Sequence, residues 1–313
     1  MLAVSAIMAI PGAALAQTSA ELALPAAVEY PEGIVYDARH DRLLTAGSFS
    51  GQLARLDPGS GNTEAIGTGL SDEIGAASRG VLGMKLDQAG RLWMAGGATG
   101  LVLVVDPESG SLLHKFRIPG EGALINDLAI VGDRAFFTDT FRPKLWSVSI
   151  GGPDFGKVEQ WIDFTGTPVD QPRPNLNGIV ASADGRALLA IHMGTGRLFH
   201  IDIEGRQVTP VDLKGQTIVG GDGLVLDGQR LYVICQPKAQ IVSIDLSSDL
   251  LSGEVLSRNT FPGLRAPATG AIANEHLFVV SPQFDRLDTN TPVRPFSVTK
   301  VALSALGQTA NAD

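Results

Sequence analysis

Cysteine is almost absent. Cys235 is the only one, so no disulfide can form within the chain and its closure must come from packing and strand pairing. Cys235 sits in an apolar run, where it reads as a small buried hydrophobe rather than a nucleophile. Positive charge is also scarce. The 24 Lys and Arg stand against 33 Asp and Glu, a net charge of −9. That argues against nucleic acid or an anionic membrane surface as a partner, since both need a basic face. It is compatible with cation binding. No long helical period runs through the sequence, and no apolar run is long enough to span a membrane. Phosphate-loop, His-Glu-x-x-His, G-x-S-x-G and paired-cysteine motifs are all missing. Asp245-x-Ser247-x-Asp249 begins like a calcium loop. Leu250 stands where that loop needs Gly, and no Glu follows at the twelfth position, so the segment reads as a surface turn.

What is abundant is turn chemistry between short apolar runs: 37 Gly and 18 Pro in a chain that is 44% hydrophobic. The stretch Gly220–Leu246, GGDGLVLDGQRLYVICQPKAQIVSIDL, holds three such runs, separated at Asp227-Gly228 and Pro237-Lys238. They read as strands of an antiparallel meander. Its clearest signal, a polar pair before an apolar run, recurs six times. The copies are Asp41-Arg42-LLTAG, Gly90-Arg91-LWMAG, Asp133-Arg134-AFFTD, Gly185-Arg186-ALLAI, Gln229-Arg230-LYVIC and Glu275-His276-LFVVS. The period is roughly 47 residues, which marks a propeller or a related repeat architecture. In four copies the next strand ends in Asp, at Asp57, Asp106, Asp202 and Asp245. The expectation is an all-β, six-bladed β-propeller with a central channel over residues 30–303, preceded by an approach segment over 17–29 and followed by a frayed tail over 304–313. The Pro-broken approach ALPAAVEYPEG is expected to carry a strand that joins the last sheet.

Residues 1–16 read as a signal peptide. Leu2–Ile10 is an apolar core, and Ala14-Leu15-Ala16 fits the small-residue cleavage pattern, although the positive n-region is missing. Export to a periplasm or the outside follows from that reading, with no membrane insertion of the mature chain; the alternative is an ordinary N-terminus.

Counting back from each anchor to the start of the blade's first strand gives Glu32, Asn126, Asn177 and Asp222, eight to ten positions before the anchor. Copies two and six have Leu82-Gly83 and Pro267-Ala268 instead. In a propeller the four oxygen-bearing side chains converge on the axis. Two carboxylates and two amides form a hard oxygen site. It suits Ca²⁺ first, then Mg²⁺ or Mn²⁺, with Zn²⁺ the remaining alternative. A cation would also relieve the repulsion between Glu32 and Asp222. Taken singly, Glu-Gly, Asn-Gly and Asp-Gly are ordinary turn dipeptides, and the shared offset is what points to a site. His192, Arg79 and Asp127 are further candidates near the channel mouth, each readable as a catalytic group or a hydrogen-bonded filler. Trp93, Trp146 and Phe137 read as inter-blade core.

The ordered set PEGIVYD, INDLAI with FFTDT, NLNGIVASADGR and GDGLVLDGQRLYV resembles the regucalcin–gluconolactonase family and its wider relatives, the diisopropylfluorophosphatase and paraoxonase-like propellers. The resemblance covers nearly all of Pro31–Phe284. It implies a divalent cation, usually calcium, held by Glu32, Asn126, Asn177 and Asp222. It also implies Asp222 as general base or nucleophile and Asn126 in contact with both substrate and metal. The implied activity is metal-assisted opening of a lactone or ester, or cleavage of a phosphotriester, in a small-molecule substrate. The chain departs from the family pattern at Gln236-Pro237 and at Pro267-Ala268-Thr269, both near the channel mouth, which puts substrate choice in question. Two other readings stand beside it: a non-catalytic exported propeller that binds a ligand or protein partner, its cation structural, and a strictosidine-synthase-like propeller that needs no metal.

Overall fold

The computed structural model describes residues 19–75, 79–152, 155–171 and 174–307. The segment read as a signal peptide lies outside them, as do residues 308–313. Among the described residues, twenty-four strands form six four-stranded antiparallel sheets. The only α-helix among the described residues is the single turn Ser71–Ile74. The six first strands are Pro31–Asp37, Met84–Leu86, Ile125–Val131, Leu176–Ala181, Gly221–Asp227 and Gly270–Ala273. Each packs against the first strand of the blade before and the blade after, and the last meets the first, so the ring closes. This is the six-bladed β-propeller that the repeat predicts.

The repeated anchor becomes the second strand of each blade. Arg134–Asp139, Ala187–His192 and Arg230–Cys235 are buried along almost their whole length. They read as continuous apolar runs because both faces of a blade are covered. Successive side chains enter opposite inter-blade cores: Phe137 packs with Trp93 and Trp146 between blades two and three, while Phe136 packs with Trp161 and Phe199 between blades three and four. Six such clusters fill the six gaps between blades. Each fully buried Leu, Ile or Phe contributes about 2 kcal/mol. The anchor arginines of blades one and two fasten their hairpins, Arg42 Nε to Asp37 Oδ2 at 3.0 Å and Arg91 Nε to Asp87 Oδ2 at 2.7 Å. The recurrent Asp after the third strand also has a local cause. Asp57 and Asp106 accept hydrogen bonds from backbone N–H groups two residues on, at 3.0 Å each, and so cap the turn to the fourth strand.

Two expectations change at the chain ends. The strand that joins the last sheet is Ser19–Ala23, which shares only Ala23 with the Pro-broken segment. It pairs antiparallel with Ser297–Ala302 and completes blade six from the other end of the sequence. The tail does not fray from residue 304. Leu303–Ala305 forms a 3₁₀ turn, and Leu306 is fully buried, its carbonyl accepting hydrogen bonds from Ser243 and Ser257.

Candidate functional site

The candidate side chains are aimed by a backbone irregularity that repeats around the ring. In blade one, Pro31 pairs with Gly47 and Ile34 with Thr45, so Glu32 and Gly33 together oppose one residue. The same two-against-one bulge falls at Asn126-Asp127, Asn177-Gly178 and Asp222-Gly223. A β-bulge redirects the side chain it carries. All four candidate residues stand first in their bulge. The Xaa-Gly pairs are therefore not turns, as the dipeptides alone suggest. They lie inside strands, and their glycines let adjacent inner strands touch. A Cβ at Gly33 would collide with the Leu82 carbonyl oxygen, one at Gly178 with the Asp222 carbonyl oxygen, and one at Gly223 with the Thr269 side chain. The Gly223 N–H donates to the Ala268 carbonyl across the blade boundary at 2.7 Å, and Gly83 N–H to the Asn126 carbonyl at 2.8 Å.

This dense ring of contacts gives a first prediction. Gly178→Ala presses a methyl group into the backbone of the next blade, which cannot move aside. Overpacking of this kind costs about 2–3 kcal/mol. The expected result is a lower urea midpoint together with disturbed geometry at Asn177 and Asp222. A variant with wild-type stability would mean that the inner strands are not in rigid contact.

The structure brings Glu32, Asn126, Asn177 and Asp222 together on one cavity of about 180 Å³, with Arg79, Leu124, Thr140, Met193, Gln236 and Phe284 among its other walls. Glu32 is 5% exposed and Asp222 4%. Burial, followed by the charges of Asp222 and Asp127, holds the Glu32 carboxyl well above the usual carboxylate range; Arg79 and Lys85 act the other way. Burial and then Asp127 raise Asp222 in the same direction, against a hydrogen bond from Asn177 and the charge of Arg79. Asp222 Oδ2 also accepts a hydrogen bond from Gln236 Nε2 at 3.2 Å. Glu32 Oε2 is fully buried and has no hydrogen-bond partner. An orphaned carboxylate oxygen in such a place carries its full desolvation cost, on the order of several kcal/mol for an ion. A hard cation between the carboxylates answers both the orphaned atom and the repulsion, so the donor set fits one. Asn126 and Asn177 add neutral oxygens of the kind such ions accept.

The other candidates take different places. Asp127 does not face the cavity. Its Oδ1 accepts the Leu128 N–H at 2.8 Å and its Oδ2 accepts the Ile179 N–H of the next blade at 3.1 Å, so it clamps blade three to blade four. Thr138 assists by donating to the Asn177 carbonyl at 2.7 Å. His192 is fully buried outside the cavity wall, its Nδ1 accepting the Thr195 N–H at 3.1 Å, and burial lowers its pKa. It is a filler. Arg79 does reach the cavity, where its guanidinium lies 4.9 Å from the Phe284 ring centroid. Gln236 holds Asp222 together with Asn177. Met193, in the turn after its strand, and Phe284, in the 3₁₀ turn Phe284–Arg286, carry no repeat signal in the sequence.

No family model matches the chain, and no curated protein matches it. Solved structures do. The allergen Mala s 1 of Malassezia sympodialis is 15% identical with a TM-score of 0.65, over 92% of this chain and 96% of that one. XC5397 from Xanthomonas campestris, a gluconolactonase, is 15% identical with a TM-score of 0.59, over 91% and 89%. A streptogramin B lyase is 11% identical with a TM-score of 0.60, over 90% and 96%. At these identities the likeness establishes the fold, a six-bladed β-propeller, and the chemistry has to be read from the cavity.

Proposed function

We propose that this propeller is an exported, divalent-cation-dependent hydrolase of the gluconolactonase type that opens a small lactone or ester. The observation that carries the reading is the pair of buried carboxylates, Glu32 and Asp222, beside two amides on one cavity, with Glu32 Oε2 left unpartnered. Glu32, Asn126, Asn177 and Asp222 would hold the cation, Ca²⁺ before Mg²⁺, Mn²⁺ or Zn²⁺. When bound, it would supply polarisation of the substrate carbonyl and charge for the developing oxyanion. Asp222, oriented by Gln236, takes the proton of the attacking water or attacks the carbonyl itself. Asn126 orients the substrate from the neighbouring wall. Leu124, Met193 and Phe284 keep bulk water from the reacting atoms. The cavity is smaller than the roughly 300–1,000 Å³ that holds a drug-sized ligand, which favours a compact substrate.

Elemental analysis of purified protein, and turnover of aldonolactones, acyl-homoserine lactones and phosphotriesters before and after chelation, test the reading. The expected result is one cation per chain, loss of lactone opening on chelation and recovery with Ca²⁺. Undiminished turnover by metal-free protein would refute it. The four donors come from four different blades, which favours bracing as a second role for the cation. A non-catalytic propeller would show this as a drop in melting temperature on chelation without turnover of any substrate.

A further inference from the structure

We infer that the cavity mouth selects a substrate that bears a carboxylate on the side away from its scissile carbonyl, and that Arg79 is the residue that recognises it; the catalytic half of this rests on the hydrolase reading, the binding half does not. Arg79 is exposed on the cavity wall that also holds Glu32 and Asp222. Its backbone is fixed: its carbonyl accepts the Ala98 N–H at 3.1 Å, and Gly97, at φ +54°, leaves room for that carbonyl where a Cβ would collide with it. The guanidinium carbon lies over the Phe284 ring, 4.9 Å from its centroid. A cation–π contact spends none of the N–H donors and leaves them for a planar, two-oxygen acceptor. Arg42, Arg91, Arg142 and Arg265 each spend their donors on a carboxylate of the protein. Arg79 joins no ion pair, and its side chain donates no hydrogen bond, among the described residues.

The local charge balance points the same way. With a divalent cation bound, Glu32 and Asp222 would offset it, and Lys85, 3.9 Å from Asp127, offsets that residue. The charge of Arg79, which otherwise acts on Glu32 and Asp222, would then be left over. A protein of net charge −9 repels anions in general, so a positive mouth on its channel is a local device for admitting one. A neutral sugar lactone would leave the guanidinium without a partner. A carboxylate on the side of the ring away from the scissile carbonyl would meet it with two charge-assisted hydrogen bonds.

D-glucaro-1,4-lactone and D-glucono-1,4-lactone share one ring and differ only in a carboxylate against a hydroxymethyl group. Wild-type protein with Ca²⁺ is expected to favour the first by about 10- to 100-fold in kcat/KM, the worth of a charge-assisted pair. Arg79→Gln is expected to bring the ratio close to one, and Arg79→Lys to an intermediate value. Calorimetric titration of calcium-loaded protein, dialysed free of excess ion, with D-glucarate and D-gluconate reads binding without catalysis. Tighter glucarate binding that Arg79→Gln abolishes is expected. If neither lactone is opened but that binding difference holds, the inference stands and the hydrolase reading falls. If the lactones are opened equally, or if Arg79→Gln leaves the ratio unchanged, the inference is overturned and the hydrolase reading stands. Neither turnover nor binding would overturn both.

Discussion

Asp222→Asn is expected to stabilise the metal-free protein and to abolish both cation binding and lactone opening. The signs are opposite because the same carboxylate has opposite effects in the two states. Without a cation, Asp222 and Glu32 are two buried acids in one small cavity, and burial with the neighbouring Asp127 charge pushes both up in pKa. Replacing one by an amide of the same shape removes the conflict and keeps a group that can hydrogen-bond to Gln236. A gain of about 1–2 kcal/mol, the worth of roughly one pK unit of like-charge repulsion between buried acids, is expected in the presence of chelator. With the cation, the same substitution removes one of two countercharges. A unit charge at about 4 Å and an effective dielectric constant of about 20 is worth about 4 kcal/mol, so affinity should fall at least about 10²-fold. The wild-type melting temperature should therefore rise on adding Ca²⁺, by the equivalent of about 2.7 kcal/mol at a hundred times Kd, while that of the variant stays flat. Thermal melts in chelator and in Ca²⁺, read beside lactone turnover, check all three effects. A variant that binds Ca²⁺ as wild type does, or melts lower than wild type in chelator, would remove Asp222 from the cation site.

The propeller was legible because both faces of each blade are buried. That burial turns the second and third strands into dense apolar runs such as LYVIC and LVLVV, and the hairpin polar pair marks where each begins. The fourth strands were not legible. Leu112–Arg117 and Val158–Asp163 lie at the outer rim, half exposed and charged, and nothing in LLHKFR or VEQWID separates them from a loop. The last blade's fourth strand is harder still to find, since Ser19–Ala23 comes from the other end of the chain. At the candidate site the sequence carried the residues but not the reason for their position. Xaa-Gly in an apolar run is a signature of a bulge or of close backbone approach as much as of a turn. Gly33, Gly178 and Gly223 serve close approach, and the bulge is what brings Glu32, Asn177 and Asp222 to one cavity. Blade three departs from the rule in a way that the sequence could not explain. There the second bulge residue is Asp127, whose carboxylate reaches over Gly83 on one side and holds the Ile179 N–H on the other.

A chain that begins at Leu24 is expected to lose at least about 10 °C in melting temperature, or to fail to fold, and to lose its cation with it. Ser19–Ala23 is matched residue for residue with residues 297–301 over five positions. Removing it exposes a sheet edge and forfeits several backbone hydrogen bonds at about 1 kcal/mol each. It also removes Leu22, which packs on the core between blades six and one, and the Glu21–Arg265 ion pair. The ion pair is partly exposed and worth about 1 kcal/mol at most. Together the loss is on the order of 5 kcal/mol, against the roughly 5–15 kcal/mol that holds a domain folded. The same strand is also the covalent tie across the seam, since the chain runs from blade six through Leu24 and Val28 into blade one. Without it, the two blades are joined by side-chain packing, the Leu24 N–H to Phe296 carbonyl bond and a few exposed polar contacts such as Arg294–Glu29. Glu32 stands on one side of that seam and Asp222 on the other, with ligand-free blade six between them, so any opening there separates the two carboxylates. Glu21→Ala provides the graded comparison, with an expected loss of a few degrees and an intact site. Melting curves and bound calcium measured on both variants check the coupling. A truncated chain that melts within about 3 °C of the full one, or that keeps its calcium while melting far lower, would show that the seam does not hold the site together.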